Sequence, residues 1–326
     1  MRAILIEEST ENQTITTCKA VSEQHISQSR VCVAIGWSAL NYKDALSITG
    51  KSKISKNLPM IPGIDFAGVV TESLSTLYSA GQQVILTGWG VGEKQWGGLA
   101  EKACVDAEWL LPMPAGLSGR NAMVLGTSGL TAMLCVMALE EGGITPKSGK
   151  ILVTGASGAV GSTAIALLHA LGYSVTAATG RQTTHPSLLQ NGADDIIDRH
   201  LLEGRSPPLE KQHWAGAIDT LGGEVLARVL AQTHYSGVVA ACGLAASYAL
   251  PATVMPFILR NVRLQGIDSV QVPVTRRQQA WERLVSLLPD EFYQRNAKEI
   301  SLDEVIDTAH NLINNALQGR IIVKIR

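Results

Sequence analysis

Residues 153–162 read VTGASGAVGS, between the strand-like KIL of residues 150–152 and the apolar stretch TAIALLHALG of residues 163–172. Gly155, Gly158 and Gly161 recur at every third position across a strand-to-helix junction. A phosphate-binding turn needs this arrangement. The backbone must reverse tightly, a diphosphate must reach the amides that open the helix, and helix and strand must pack closely. In the G-x-G-x-x-G pattern Gly158 takes the middle place, where a side chain would obstruct the phosphates. Gly161 takes the last, where one would push the helix away. The first place is held by Ala156, with Gly155 just before it. Glycine turns that only permit close packing are common, so the reading depends on the flanking chain.

Downstream of the turn, strand and helix patterns alternate: a helix over 159–171, the strand YSVTAAT, a helix over 185–191, DDIID, WAGAIDT, a helix over 223–232, GVVAACG and VRLQGID. Alternation at this spacing means βαβ units and a parallel sheet with helices on both faces. The fold class is therefore α/β, with a Rossmann-type doubly wound parallel sheet. Upstream, to about residue 120, short β runs alternate with Gly/Pro turns, as in RAILIE, RVCVAIGWSAL, IDFAGVVTE and QQVILTG. This is the texture of a mostly β domain. NAMVLGTSGLTAMLCVMALEE of residues 121–141 has helical apolar spacing and stops at Gly142-Gly143. The last strand, GRIIVKI, again resembles the first domain, so the chain is expected to return to it. The expected division is residues 1–120 completed by 290–326, with 121–289 inserted as the nucleotide-binding domain.

The end of the second strand of that insert selects the dinucleotide. A site for NAD places a carboxylate there, against the ribose 2′-hydroxyl. Here the residues are Thr179, Gly180 and Arg181, and no acid follows until Asp194. A guanidinium and a hydroxyl attract a 2′-phosphate that a carboxylate would repel. The expected cofactor is NADP(H), seated on Ser157, Gly158, Ala159 and Val160 and selected by Thr179, Gly180 and Arg181. A short-chain dehydrogenase reading fails, because its turn needs glycine at 159, where Ala159 stands. It also needs a Tyr-x-x-x-Lys pair downstream, which no tyrosine here supplies.

Composition narrows the function classes. The 326 residues carry 27 Lys and Arg against 28 Asp and Glu, and the scattered charge shows no footprint for a nucleic acid. Cys18, Cys32, Cys104, Cys135 and Cys242 are far apart, form no CxxC, and are expected as separate thiols. The opening MRAILIEES carries acids where a signal peptide needs its apolar run, and the apolar stretch near residues 237–259 is broken by Gly and Pro. A cytoplasmic protein with no membrane and no nucleic-acid partner is expected.

SALNYKDALSITGKSKI, PMIPGIDFAGVV, LTGWGVGEKQWGGLAE, GTSGLTAMLCVMALE, VTGASGAVGS and MPFILRNVRLQGIDSV together resemble the medium-chain dehydrogenase/reductase superfamily. They are most similar to its zinc-independent branch named for quinone oxidoreductases, in the bacterial acrylyl-CoA reductase group, over nearly the whole chain. The resemblance implies a GroES-like fold for the β-rich domain and homodimerisation through the edge of the nucleotide-binding sheet. It also implies NADPH-dependent reduction of the C=C bond of a short α,β-unsaturated acyl-CoA, with a quinone as the alternative acceptor. A non-catalytic NADPH-binding sensor is the third reading.

Zinc-dependent relatives hold their metal with a cysteine that aligns near Asn41 and a histidine where this chain has Ile64. No metal is expected, since zinc needs three or four N, S or O ligands. Within Asn41-Tyr42-Lys43-Asp44, Tyr42 is the leading polar candidate, either as a proton donor or as a cofactor-packing residue with solvent supplying the proton. Asn41 either orients substrate or stabilises a turn, and Asp44 is read as a structural hydrogen-bond partner. Thr127 contacts the nicotinamide or caps a helix. The resemblance places Leu244, Ile267 and Ser269 beside the nicotinamide half and Asn315 at the closing edge of the cleft. Trp89 and Trp96 are read as packing residues. Lys51, Lys53 and Lys56 are either a coenzyme A phosphate contact or a solvated cluster.

Overall fold

The computed structural model describes residues 1–11, 13–22, 31–314, 317 and 319–326. The chain begins with β1 (Arg2–Glu8), β2 (Thr14–Ala20), β3 (Val31–Leu40), α1 (Tyr42–Ile48), β4 (Asp65–Glu72), β5 (Gln83–Thr87), β6 (Lys102–Val105) and β7 (Leu111–Pro112). The long α2 (Gly119–Glu141) leads into β8 (Ile151–Val153), α3 (Ala159–Ala170), β9 (Val175–Thr179), α4 (His185–Gln190) and β10 (Asp195–Asp198). Then come β11 (Trp214–Asp219), α5 (Gly223–Gln232), β12 (Thr233–Ala241), α6 (Met255–Arg260) and β13 (Arg263–Gly266). The chain ends through α7 (Val274–Leu287), α8 (Asp290–Arg295), β14 (Ala297–Ser301), α9 (Val305–Ile313) and β15 (Arg320–Lys324).

Two compact units result. The first holds Met1–Thr127, Val270–Val285 and Asp290–Arg326, and the second holds Ser128–Ser269 with Ser286–Pro289. The expected boundaries fell at 120/121 and 289/290. The packing moves the first to 127/128 and assigns most of α7 to the first unit.

In the first unit a seven-stranded sheet runs β14-β15-β3-β4-β5-β7, with β6 paired to the free stretch of β3. The C-terminal strand returns as inferred: β15 lies antiparallel to β3, with Ile321 opposite Leu40 and Val323 opposite Ser38. Apolar residues that alternate along β3, β4 and β5 close one core around Val33, Ile35, Phe66, Val84 and Leu86. A second core joins β1, α1, α9 and β15 through Ile4, Ile48, Val305 and Val323.

The β3–β6 register corrects one expectation. Cys32 stands directly opposite Cys104, and the two sulfurs are bonded rather than held as separate thiols. A separation of 72 residues carries no sign of this, because the pairing follows from strand register alone.

The second unit is built on a six-stranded sheet in the order β10-β9-β8-β11-β12-β13, parallel throughout. In order of appearance this is 3-2-1-4-5-6, the doubly wound arrangement, and its direction of winding reverses between β8 and β11. The runs ILV, VTAAT and WAGAID are buried on both faces, which explains their continuous rather than alternating apolarity. α2 is long and apolar enough to cross a membrane by composition, but 94% of its apolar window is buried inside the fold. It is a core helix. The single helix expected over 121–141 is broken at Gly126, with φ 49° and ψ −150°.

Candidate functional site

In the second unit, β8 ends at Val153 and the chain turns through Thr154–Ser157 to Gly158, which precedes the first turn of α3. The tight reversal belongs to Gly155, at φ 56°, and a β-carbon there would strike the Thr220 hydroxyl. Gly155 therefore does what the sequence pattern assigned to the position of Ala156, whose side chain is fully buried. At Gly161 an added β-carbon would lie 2.5 Å from the Gly155 carbonyl oxygen and 2.8 Å from Ala156 Cα. α3 thus sits directly on the turn. Gly158 is exposed, and its amide donates to the Gly155 carbonyl at 2.9 Å. The amides that follow, of Ala159 and Val160, open the helix and have no acceptor within it. Together with the positive end of the helix dipole they present free donors that an anion can accept from.

The turn is pinned from below by a group the sequence did not single out. Asp219, fully buried at the end of β11, accepts from the Thr154 hydroxyl at 2.7 Å and the Gly222 amide at 2.7 Å. The Thr220 amide in turn donates to Thr154 Oγ1 at 3.1 Å. Burial pushes the Asp219 carboxyl up, while the bonds from Thr154, Gly222 and Leu221 pull it down. These bonds join the carboxyl ends of β8 and β11, where the sheet order reverses and open α/β sheets take their ligands.

At the end of β9, Thr179 is buried and its hydroxyl accepts from the Arg181 amide at 3.1 Å. Ser157 Oγ lies 3.5 Å from the same hydroxyl, so the turn and the strand end touch. Gly180 is exposed, and a β-carbon on it would lie 2.8 Å from Arg199 Nε. Arg199 therefore covers Gly180 and stands as a second cation beside Arg181, paired to Glu203 at 3.2 Å. Sequence spacing concealed it. The signal is the parallel register of β10 on β9, Asp198 opposite Thr179, which puts the next residue beside Gly180.

Leu244 is exposed beyond β12, and Ile267 donates its amide to the Ala241 carbonyl at 2.9 Å. Ser269 accepts from the Thr131 hydroxyl of α2 at 2.9 Å. Leu244, Ile267 and Ser269 thus all lie beyond the carboxyl ends of β12 and β13. Asn315 lies outside the described residues.

Within the first unit a second constellation centres on Asp65, the first residue of β4 and fully buried. Arg320, at the start of β15 and 4% exposed, donates to Asp65 Oδ2 at 2.8 Å, to the Met123 carbonyl at 2.9 Å and to Asn41 Oδ1. The Asn41 amide nitrogen donates to Asp65 at 2.9 Å and to Asp44 at 3.2 Å. Thr127 gives its backbone amide to Asp65 Oδ2 at 3.0 Å and its hydroxyl proton to Asp65 Oδ1. Gly126 is glycine because a β-carbon there would overlap the Arg320 guanidinium and the Asp65 carboxylate.

Asp44 receives four donors: the Asn41 amide and side chain, and the amides of Gly63 and Ile64 at 3.0 and 3.1 Å. Burial pushes its carboxyl up to about 6, with neighbouring Asp65 adding to the rise and the Asn41 and Gly63 bonds opposing it. Because folding raises this pKa, its stabilising contribution is complete below about pH 4. It is lost as the pH climbs through about 6.

Asn41 consequently has no donor left for a substrate, and it serves as the cap that fixes the start of α1. Thr127 commits its amide and hydroxyl proton to Asp65. Tyr42, the first residue of α1, is half exposed and keeps its phenol outside this network. The tryptophans pack. Trp89 lies 4.6 Å from the Arg277 guanidinium and stacks on Trp109, and Trp96 donates to the Pro59 carbonyl at 3.0 Å. The donor set does not suit zinc. Ile64 has no ligating atom, Asp65 is already neutralised by Arg320, and no three His, Cys, Asp or Glu side chains converge among the described residues.

Comparison with known proteins identifies the two kinds of domain. Family models for the alcohol dehydrogenase GroES-like domain and for zinc-binding dehydrogenase match residues 27–115 and 159–289. A probable acrylyl-CoA reductase of Escherichia coli K12, AcuI, is 58% identical over 325 residues, covering 100% of both chains. The acrylyl-CoA reductase AcuI of Ruegeria pomeroyi is 45% identical, over 99% of this chain and 98% of the relative. The crystal structure of Escherichia coli YhdH with bound NADPH superposes with a TM-score of 0.97 at 58% identity, covering 99% of this chain and 100% of the other.

Proposed function

The chain belongs to the medium-chain dehydrogenase/reductase family, and we propose that it uses NADPH to reduce the C=C bond of a short α,β-unsaturated acyl-CoA, acrylyl-CoA to propionyl-CoA. It is an oxidoreductase acting on a CH–CH group. Full-length identity of 58% to a probable acrylyl-CoA reductase and 45% to an acrylyl-CoA reductase carries this reading. The bound reduced nicotinamide supplies the hydride that reaches the β-carbon of the thioester.

The chain's own groups do the rest. The amides opening α3, with Ser157, Gly158, Ala159 and Val160, hold the diphosphate against water. Thr179, Gly180, Arg181 and Arg199 receive the 2′-phosphate, and Leu244, Ile267 and Ser269 border the nicotinamide half. Hydride addition leaves negative charge on the thioester oxygen, and a proton must then reach the α-carbon. Tyr42 donates a hydrogen bond to the reacting system, while Asn41, tied to Asp44, Asp65 and Arg320, sets the pitch of α1 beneath it. The conjugated carbonyl accepts the charge, so the reaction proceeds without zinc, in keeping with the donor set around Asp65.

The test follows NADPH absorbance with acrylyl-CoA, crotonyl-CoA and a quinone in parallel. Oxidation by acrylyl-CoA is expected. Oxidation by the quinone alone would replace this reading, and no oxidation by any of them would favour a sensor. Tyr42→Phe should lower kcat/KM for acrylyl-CoA about 100-fold, and a change under about threefold would hand the proton step to solvent.

Two finer points belong to the same proposal. β13 is an edge strand, and just before it Val254 and, on α6, Ile258 and Leu259 are exposed, an apolar surface suited to a second copy. A homodimer is expected in sedimentation, and Ile258→Asp should yield monomers; an unchanged dimer would move the interface elsewhere. The enzyme is placed in the cytoplasm, with the Cys32–Cys104 bond an exception to the reduced thiols usual there.

A further inference from the structure

α1 runs out at Thr49 into the loop KSKISKNLP of residues 51–59. Lys51, Lys53 and Lys56 are exposed on it, yet the loop is held at several points. Ser55 Oγ lies 2.6 Å from Ser47 Oγ of α1 and donates to the Gly92 carbonyl at 3.5 Å. The Lys56 amide donates to the Glu93 carbonyl at 2.9 Å, and Asn57 Nδ2 to the Lys94 carbonyl at 3.4 Å. These bonds lay the loop against the turn at 90–96, so exposed Lys94 joins the three lysines.

The charge there is unbalanced. Glu93 is the one acid in either segment, and it is taken by Lys43 at 2.9 Å. Among the described residues, Lys51, Lys53, Lys56 and Lys94 make no ion pair. In a chain of 27 basic and 28 acidic residues, four unpaired lysines on two adjoining loops are a local concentration rather than a general property.

Resting on the reading that the substrate is a coenzyme A thioester, we infer that Lys51, Lys53, Lys56 and Lys94 dock the phosphates of its nucleotide end. Coenzyme A carries a 5′-diphosphate and a 3′-phosphate, a polyanion that flexible ammonium groups meet without a fixed geometry. The lysines begin one short helix away from Tyr42. α1 has seven residues, about 10 Å at 1.5 Å per residue, and the pantetheine arm is longer than that. The thioester at Tyr42 and the phosphates at the lysines are therefore compatible with one extended ligand. Because the lysines are exposed, the attraction acts on capture and fades with salt.

The experiment compares wild type with K51E/K53E/K56E, all exposed positions outside the folded core. The variant should raise the KM for acrylyl-CoA about tenfold or more. Its kcat and its KM for NADPH, which also carries a phosphate, should stay within about twofold of wild type. Acrylyl-pantetheine, which has the thioester but no nucleotide, should give the same KM with both enzymes. An unchanged KM for acrylyl-CoA, or an equal rise with acrylyl-pantetheine, overturns the lysine dock while leaving the reductase reading intact. If wild type fails to reduce acrylyl-CoA, the reductase reading falls and calorimetry with free coenzyme A judges the lysines. Binding lost in the variant upholds them, and no binding by wild type overturns them.

Discussion

Arg320→Met is expected to destabilise the first unit by about 3–5 kcal/mol, the usual cost of stripping one partner from a buried ion pair. Asp65 is fully buried, and Arg320 holds it at 2.8 Å while also donating to Asn41 and to the Met123 carbonyl. Without the guanidinium, the carboxylate keeps only neutral donors from Asn41 and Thr127, and its charge stays away from water. The thermal transition of a unit this size should fall by on the order of 10 °C. Asp65→Asn combined with Arg320→Met should recover much of the loss, because the uncompensated charge is then gone. A double variant as unstable as the single one would show that packing, and not charge, explains the effect. The consequence for function runs through Asn41. Its side chain is fixed by Asp44, Asp65 and Arg320, so loosening it shifts the first turn of α1, where Tyr42 begins.

Arg181→Ala should weaken NADPH binding about 10- to 100-fold, which is what a charge-assisted hydrogen bond to a phosphate contributes. NADH lacks the 2′-phosphate, so its affinity should hold within about twofold. Fluorescence titration with both nucleotides reads the two constants directly. Arg199 lies against Gly180 on the same strand end, so Arg199→Ala should cause a smaller loss in the same direction. The double variant should approach equal affinity for the two nucleotides. Equal losses for NADPH and NADH in the single Arg181 variant would remove that side chain from the 2′-phosphate.

Much of the cofactor half was legible in the linear chain. The turn, its helix and the strand end at Thr179–Arg181 lie within 30 residues, and glycine positions and β/α alternation are local signals. Gly155 was legible only in part. Spacing pointed at position 156, and the backbone dihedral identified Gly155 as the residue that makes the reversal. Asp219 and Arg199 gave no signal, because each reaches its place through the parallel register of paired strands, which spacing along the chain does not encode. The other constellation was less legible still. For Asn41 the sequence left two roles open, orienting substrate or stabilising a turn, and the structure ties its side chain to Asp44, Asp65 and Arg320.

By itself the sequence determined the alternation that makes a doubly wound sheet, the glycine turn at its first crossover, and the β texture that brings the last strand back to the first unit. Each of these depends on backbone preference or apolar periodicity over a few neighbouring residues. Tertiary structure alone decided that Asp65 meets Arg320 across 255 residues, that Cys32 faces Cys104, and that Gly126 interrupts α2. A charge removed from water must find its partner wherever the packed chain supplies one. That partner is set by the register and approach of distant segments, which no local spacing encodes.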